Sequence, residues 1–287
     1  MSPRFSLTYY DPPERLARHV LAYFHFIWED EIIEDRHPGA LGQLVMFPRG
    51  AGEMQFPTGT DPVRGDAYVF CGFTTAVPFR ISGPWHVYGA SLSPLGWAAL
   101  TDTPAPEFLD RIKPAETLLG PDISSFSHDL NTAYRAGEID GKEACDRLSD
   151  WIEPRLRALP PRHEKLIETT LRWIAKSLYP DVDDLFANLA YSRRQAERLV
   201  ERYFGFPPAS LARKFRAVRA SALLAKEDLT DEEEAQIAEA FYDQPHMVRE
   251  IRRFCGYTPS RLGGPSDPIL QVLLQLKNFN PLRHFTD

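Results

Sequence analysis

The stretch SRRQAERLVERYFGFPPASL, from Ser192 to Leu211, decides how the C-terminal third of this chain folds. A second stretch, DQPHMVREIRRFCGYTPSRL from Asp243 to Leu262, has a similar pattern of residue types 51 positions later (243 − 192 = 51). Each stretch starts with a residue that can cap a helix, continues with apolar residues at helical spacing, and then passes through glycine and proline to a leucine. Two copies of one helical unit are the simplest explanation.

The apolar positions predict one buried stripe on each helix. Ser192 with Gln195 fits a capping box, in which side chain and backbone satisfy each other's unpaired groups. Gly205 and Gly256 follow the last apolar residue, where a left-handed residue ends a helix at little cost. The stripe residues are Ala196, Val200 and Tyr203 in the first helix and Met247, Ile251 and Phe254 in the second.

A short helix is predicted before each capped helix, at about residues 182–190 and 232–241. A short helix, a tight turn and a second helix with a basic outer face make a helix-turn-helix unit. The outward side chains can bond phosphate oxygens or the base edges in a major groove. They are Arg193, Arg194, Glu197 and Arg198 in the first helix and Gln244, His246, Arg249, Arg252 and Arg253 in the second.

The C-terminal part, about residues 165–262, resembles the tandem helix-turn-helix domain of AraC-type transcription regulators. The chain departs from that family at the turns, where glycine is usual and Ala190 and Ala240 stand instead, although alanine resists positive φ. The matching positions include Asp184-Leu185, Arg194-Gln195, Glu197-Arg198, Phe204-Gly205-Phe206, Phe215-Arg216, Arg219-Ala220, Phe241-Tyr242-Asp243-Gln244-Pro245-His246, Arg249, Arg252-Arg253-Phe254 and Thr258-Pro259-Ser260.

The resemblance implies a transcription regulator whose partner is double-stranded DNA, with RNA polymerase and a second copy of the chain as further expected partners. Side chains near the start of each capped helix are expected to read bases, and Arg216, Arg219, Arg252 and Arg253 to serve helix packing or phosphate contact. The expected DNA-binding residues are Ser192, Arg193, Arg194, Glu197, Arg198, Arg216, Gln244, His246, Arg249 and Arg253.

The composition sets the class of protein. The chain has 287 residues, a net charge of −7 and three scattered cysteines, Cys71, Cys145 and Cys255. It is long enough for two domains, it shows no apolar run that could span a membrane, and its first residues lack the core of a signal peptide. The cysteines have neither a zinc spacing nor a disulfide framework, which suits a reducing cytosol. We therefore expect a cytoplasmic protein.

The charge is distributed unevenly along the chain. From Ser192 to Arg219 there are eight bases and two acids, and this local surplus matters more than the total because phosphate contacts act at short range. From Glu227 to Asp243 there are only acids. We interpret the acidic run as a solvated helix start favoured by the helix dipole, in preference to a contact surface for a transcription partner.

Residues 1 to about 100 have the pattern of turns and short apolar runs that is typical of a β domain. Turn formers at Gly50-Ala51-Gly52, Gly59, Gly65-Asp66 and Gly83-Pro84 separate short runs of strand-forming residues. The pattern predicts a cupin-like barrel or sandwich, so that the whole chain is α+β with an all-α C-terminal domain. The predicted strands are Tyr23–Trp28, Leu44–Phe47, Glu53–Phe56, Ala67–Phe70, Phe79–Ile81 and Val87–Leu92.

This front domain more loosely resembles the sensor domains found on some AraC-type regulators, which implies a small-molecule effector. Its many aromatic residues can bind sugars or aromatic acids, but core packing is the commoner use of each ring. The candidate effector-binding residues are Gln43, Arg49, Gln55, Arg80 and Trp85.

From Glu107 to Leu159 the pattern is helical, and its apolar stripes pack either on the front domain or on a second subunit. Pro160-Pro161 marks the predicted domain boundary. The predicted domains are a β-rich effector-binding domain at 1–105, a helical linker or dimerisation region at 106–160, the DNA-binding domain at 161–262 and a tail at 263–287 that carries a possible helix, Ile269 to Leu276.

Two other classes of protein stay open. In the first, the front domain is a catalytic or metal-binding cupin-like domain. Its histidines, His19, His25, His37 and His86, are dispersed, and neither a catalytic motif nor a phosphate loop is present. We therefore predict no catalytic residue, metal ligand or cofactor. In the second, the helical pair is architectural or binds a partner without reading sequence.

Overall fold

The computed structural model describes residues 5–39, 42–226 and 228–261. The chain divides into two compact units. The first takes in the described residues up to 35, from 42 to 72 and from 78 to 159; the second takes in 36–39, 73–77 and the described residues from 160 onward. The domain bounds given above stay a prediction, and the tail 263–287 with its possible helix lies outside the described residues.

One sheet of eight strands organises the front of the chain. Its order is β1-β2-β7-β4-β6-β8, with β3 paired to β7 and β5 to β4, and neighbours such as β1 and β2 or β4 and β7 run antiparallel. The strands are Phe5–Tyr10 (β1), Val20–Trp28 (β2), Ile32–His37 (β3), Gly42–Phe56 (β4), Gly59–Val63 (β5), Ala67–Phe70 (β6), Val77–Leu92 (β7) and Ile112–Pro114 (β8).

Two of the predicted turns are wrong. Gly50-Ala51-Gly52 lies inside β4 and Gly83-Pro84 lies inside β7, so each pair of short predicted strands is one long strand. The register of β4 against β7 shifts on both sides of Arg49, as it does where a long strand bends. Gly52 is needed for close approach, because a Cβ there would come within 2.0 Å of the Arg80 carbonyl oxygen.

Four helices belong to the described part of the first unit: Pro94–Thr101 (α1), which precedes β8, and Glu116–Leu119 (α2), Asp122–Ala136 (α3) and Gly141–Ile152 (α4), which follow it. Ile123 and Leu130 of α3 and Leu148 of α4 share one buried cluster with sheet residues such as Leu44 and Tyr88. The apolar faces of the helical extension therefore pack on its own sheet, which decides between the two alternatives left open for them.

Six helices build the described part of the second unit: Pro161–Lys176 (α5), Val182–Ala187 (α6), Arg193–Phe204 (α7), Pro208–Leu224 (α8), Asp231–Ala240 (α9) and Gln244–Cys255 (α10). Helices α6, α7, α9 and α10 are the four predicted above, with ends that differ by a few residues. The central helix α8 contacts α7, α9 and α10. The α+β fold class is confirmed. No helix among the described residues is both long enough and apolar enough to cross a bilayer.

Candidate nucleic-acid interface

Helix α7 begins and ends as its sequence predicts. The Ser192 hydroxyl accepts a hydrogen bond from the Gln195 N–H, and the Gln195 side chain accepts one from the Ser192 N–H at 3.2 Å, which completes the capping box. Gly205 closes the helix with φ 81°. Ala196, Val200 and Tyr203 are buried, so the stripe that faces the domain core leaves the opposite face of α7 to solvent.

Helix α10 repeats this arrangement. Asp243 accepts a hydrogen bond from the His246 N–H at 2.6 Å, and Gly256 ends the helix with φ 86°. Ile251 and Phe254 are buried, while Met247 is only partly buried. Because the same caps and the same phases recur, the two helices present equivalent outer faces.

The turns before these helices do not need glycine. Among the described residues, positive φ outside glycine occurs only at Asp102 and Asp110. Ala190 and Ala240 therefore both keep negative φ, which alanine adopts without strain. Ala240 is still inside α9, and Phe241 then takes an extended conformation before Asp243 caps α10.

The outer face of α7 carries two arginines that are available for a ligand. Arg194 and Arg198 are exposed, and neither has an ion-pair partner among the described residues. Arg193 is more constrained, because its guanidinium pairs with Asp183 at 2.8 Å and lies 4.5 Å from the Phe186 ring. Glu197 is exposed and lies 3.7 Å from Arg193.

The outer face of α10 is similar but not identical. Gln244, Arg249 and Arg253 are exposed, and Arg249 has no ion-pair partner in the described part of the chain. His246 is different: its Nε2 lies 3.4 Å from the Glu250 carboxylate on the same helix, and its ring is edge-on to Phe241. The His246 side chain therefore lies against Glu250 of its own helix and against Phe241.

Residues 185–263 match the family described as "Helix-turn-helix domain". The C-terminal part of this chain is an AraC-type helix-turn-helix domain. This region contains both capped helices and the helix between them.

The matches to two relatives are longer than the helix-turn-helix domain. Both are named HTH-type transcriptional regulator GbdR, come from two strains of Pseudomonas aeruginosa, and are 33% identical over 204 residues. The match covers 61% of this chain and 55% of each relative, so the chain spans about half the length of the relatives it matches.

Among solved structures, ToxT from Vibrio cholerae O395 has a TM-score of 0.45 and 10% identity, over 94% of this chain and 98% of that one. Another crystal form of ToxT has a TM-score of 0.47 and 9% identity, over 90% and 97%.

The connecting helix α8 of the helix-turn-helix domain departs from expectation at two charged residues. The helical spacing of apolar residues in α8 predicts that Lys214 and Arg216 face outward, but they are only 1% and 5% exposed. Lys214 donates hydrogen bonds to the carbonyl oxygens of Gly39 and Phe73, which belong to the same unit. Arg216 pairs with Glu250. For Arg216, the helix-packing alternative is the one observed.

These burials reduce the basic surplus that reaches the surface. Arg219 is also half-buried, with its guanidinium bonded to backbone carbonyl oxygens of Ile174 and Ser177. Between Ser192 and Arg219, five bases are therefore exposed against two acids, instead of eight against two. The exposed bases are Arg193, Arg194, Arg198, Arg202 and Arg213. The acids from Asp231 to Glu234 occupy the first turn of α9, behind a capping box of Thr230 and Glu233. That position agrees with the interpretation of the acidic run as a helix start.

The candidate effector residues of the first unit do not converge. Trp85 is half-buried, whereas Arg49, Gln55 and Arg80 are exposed and Gln43 is half-buried in β4. Gln55 and Arg80 are engaged with neighbouring acids of the strands, namely Glu53 and Glu34. The Arg49 guanidinium lies 3.5 Å from the Arg135 carbonyl oxygen. No single site collects these five side chains.

Trp85 lies in a cluster of aromatic rings. Its ring centroid is 4.8 Å from that of Phe26, 5.2 Å from Phe79 and 6.4 Å from Phe47. The indole N–H is buried and has no acceptor among the described residues. A buried donor without a partner is uncommon. The expectation that most front-domain rings are core residues is confirmed, since Trp85 alone among the eleven considered is not fully buried. The eleven are Phe24, Phe26, Trp28, Phe47, Phe56, Tyr68, Phe70, Phe73, Phe79, Trp85 and Tyr88.

Sequence reasoning missed Glu250, which is 3% exposed, pairs with Arg213 and Arg216, and lies 3.4 Å from the His246 ring. Its position beside the apolar stripe, directly before Ile251, was one available signal. The arginines that neutralise it come from α8, 34 and 37 residues earlier, and no local pattern connects them.

Proposed function

We propose that this chain is a sequence-specific DNA-binding transcription regulator, in which α7 and α10 are the two recognition helices. The observation that carries the proposal is the pair of equivalently capped helices whose outer faces present Arg194, Arg198 and Arg249 without ion-pair partners in the described chain. An arginine that no carboxylate neutralises can bind guanine or phosphate.

The proposed roles follow from exposure and from position along each helix. Arg194, Arg198, Gln244 and Arg249 read base edges, because they are exposed and lie in the first two turns. Arg253 is exposed near the end of α10 and contacts phosphate. Ser192, Arg193, Glu197 and His246 remain candidate contacts, although Arg193 and His246 would first have to leave the partners described above. Arg216 acts through packing.

In vitro selection from a random duplex library tests this function. The full chain is incubated with the library at a fixed salt concentration, and bound duplexes are amplified and sequenced over several rounds. We expect the selected duplexes to share a motif of two half-sites whose centres lie about 34 Å apart, because each recognition helix enters a major groove on one face of the duplex. If the half-sites are spaced differently, we expect the bound DNA to be bent. Equal affinity for random and selected DNA at every salt concentration would instead support the architectural alternative.

We further propose that the front domain binds a small-molecule effector near Trp85. The half-buried indole and its unpartnered N–H, surrounded by Phe26, Phe47 and Phe79, favour a flat apolar ligand that carries a hydrogen-bond acceptor. A thermal-shift screen of aromatic acids and sugars, repeated on Trp85→Phe, tests it. A ligand that stabilises both proteins equally would exclude this site.

A contact with RNA polymerase, a homodimer and a cytoplasmic location belong to the same proposal. The apolar stripes of α3 and α4 are not available for a dimer, since they pack on their own sheet. A dimer would therefore use another surface, and analytical ultracentrifugation with and without operator DNA tests whether a dimer forms.

A further inference from the structure

One carboxylate of the helix-turn-helix domain is not explained by base reading. Glu250 follows the candidate base-reading residue Arg249 on the second recognition helix, but its side chain is only 3% exposed. It points toward the connecting helix α8, away from the outer face that carries Arg249. A buried carboxylate is retained only when its charge is well compensated.

The compensation comes from two arginines of α8. Arg213 donates from Nε to Glu250 at 2.8 Å, and Arg216 donates from Nε at 3.1 Å and from a second guanidinium nitrogen. His246 Nε2 is 3.4 Å away. Burial opposes ionisation of Glu250, but the hydrogen bonds from Arg216 and Arg213 outweigh it and lower the pKa of this carboxyl group below its usual value. Glu250 is therefore ionised at neutral pH.

Arg216 is itself fixed by its surroundings. Its guanidinium lies between two aromatic rings, 4.9 Å from Tyr179 and 5.0 Å from Phe241, and its side chain is 6% exposed. The planar guanidinium has a fixed set of donor directions, so a carboxylate bonded to two of its nitrogens is held in direction as well as in distance. Arg216 is thus a rigid anchor on α8 for the second recognition helix.

We propose that Glu250 is a positioning residue for DNA reading: by bonding Arg216 and Arg213, it fixes the orientation of the second recognition helix on the connecting helix. This inference rests on the proposed function. Apolar packing alone allows a helix to rotate or slide by small amounts with little loss of contact, whereas an ion pair with two defined donors has one best geometry. Base edges need that definition, because hydrogen bonds weaken steeply with angle.

The test compares Glu250→Gln with the wild-type chain. Affinity is measured for a duplex selected by the wild type and for a scrambled duplex, at one salt concentration and well below the melting temperature. We expect the ratio of the two affinities to fall about tenfold or more, because tilting the helix weakens several base contacts together. The scrambled duplex, held by phosphate contacts, is expected to bind nearly as before. Glu239→Gln, the same charge change at an exposed position of α9, is the matched control and should keep the wild-type ratio.

A second variant covers the case in which Glu250→Gln fails to fold. In Arg216→Met/Glu250→Leu, apolar side chains replace the whole ion pair, a change that folded proteins often tolerate. Circular dichroism confirms folding, and the affinity ratio is again expected to fall. A folded variant of either kind with the wild-type ratio overturns the positioning role. A wild-type chain that binds selected and scrambled DNA alike refutes the proposed function instead.

Discussion

The Tyr203 hydroxyl lies 2.7 Å from Nδ1 of His163, and this hydrogen bond joins α7 to α5. Burial, together with the charges of Arg162 and Arg202, lowers the pKa of His163, so the imidazole is neutral at physiological pH. Helix α7 is therefore joined to its neighbour by a neutral hydrogen bond, whereas α10 is joined to α8 by an ion pair.

Replacing Tyr203 with phenylalanine removes this hydrogen bond and keeps the buried ring. We expect the free energy of unfolding to fall by about 1 kcal/mol, the usual net value of one hydrogen bond. Chemical denaturation followed by circular dichroism measures it. Tyr242→Phe, at a ring that is 94% exposed, is the matched control and should leave stability unchanged. Equal stability of Tyr203→Phe and the wild type would show that the bond contributes nothing.

Alanine at Arg194 or Arg249 is expected to cost about 1 to 3 kcal/mol of binding free energy and to relax base preference at one position of the site. Alanine at Arg253 is expected to weaken binding to all sequences alike, because phosphate contacts carry no sequence information. Footprinting and titration against the selected duplex distinguish the two patterns. Unchanged affinity with an unchanged footprint removes the residue from the interface. Arg147→Ala, on α4 of the first unit, controls for the loss of one surface charge.

The cap of the second recognition helix is expected to be worth about 1 kcal/mol of stability. Asp243→Ala leaves the His246 N–H without its acceptor, whereas Asp243→Asn keeps an oxygen at the same place. Thermal melting should therefore rank the wild type and Asp243→Asn above Asp243→Ala. Identical melting temperatures for all three proteins would contradict a role for the cap.

The free energy of unfolding is expected to decrease as the pH is lowered from 6.5 to 4, because of His37. Burial, assisted by the charge of Lys214, lowers the pKa of His37 to about 4, and its Nδ1 accepts a hydrogen bond from the Gly39 N–H at 2.9 Å. The unfolded chain has the higher pKa and binds the proton first as pH falls, so acid favours unfolding in this window and the effect is absent above it. The slope from one such group is at most about 1.4 kcal/mol per pH unit.

His37→Gln keeps an acceptor at this position and removes the titration. Its free energy of unfolding should therefore depend less steeply on pH between 6.5 and 4 than that of the wild type, as measured by denaturation at several pH values. Parallel pH profiles would mean that His37 does not contribute.

The helices of the C-terminal part could be predicted from the sequence because the residues that start, orient and end a helix lie close together in the chain. Caps at Ser192 and Asp243, stripes at a helical period and terminal glycines each act within a few residues, and all of them appear in the structure. The β half was less readable, because glycine and proline usually mark turns, and long strands also use them where they bend. Gly52 could be interpreted correctly only once Arg80 was known to lie across from it.

The buried charges could not be predicted for a different reason. Helical periodicity assigns Lys214 and Arg216 to the surface because an unpaired buried charge is costly. The groups that compensate them, the carbonyl oxygens of Gly39 and Phe73 and the carboxylate of Glu250, are distant in the chain. Only the folded structure brings these partners together.

The two alanine turns differ in how freely they can change. Ala190 is exposed and keeps negative φ, so larger side chains can replace it without steric conflict. Ala240 also keeps negative φ but is only 4% exposed inside a packed cluster, and a bulkier residue there would have to displace its neighbours. Evolution can therefore vary the first turn at little cost, whereas the second is limited by volume, and directed mutagenesis of this domain should sample position 190 broadly and leave position 240 small.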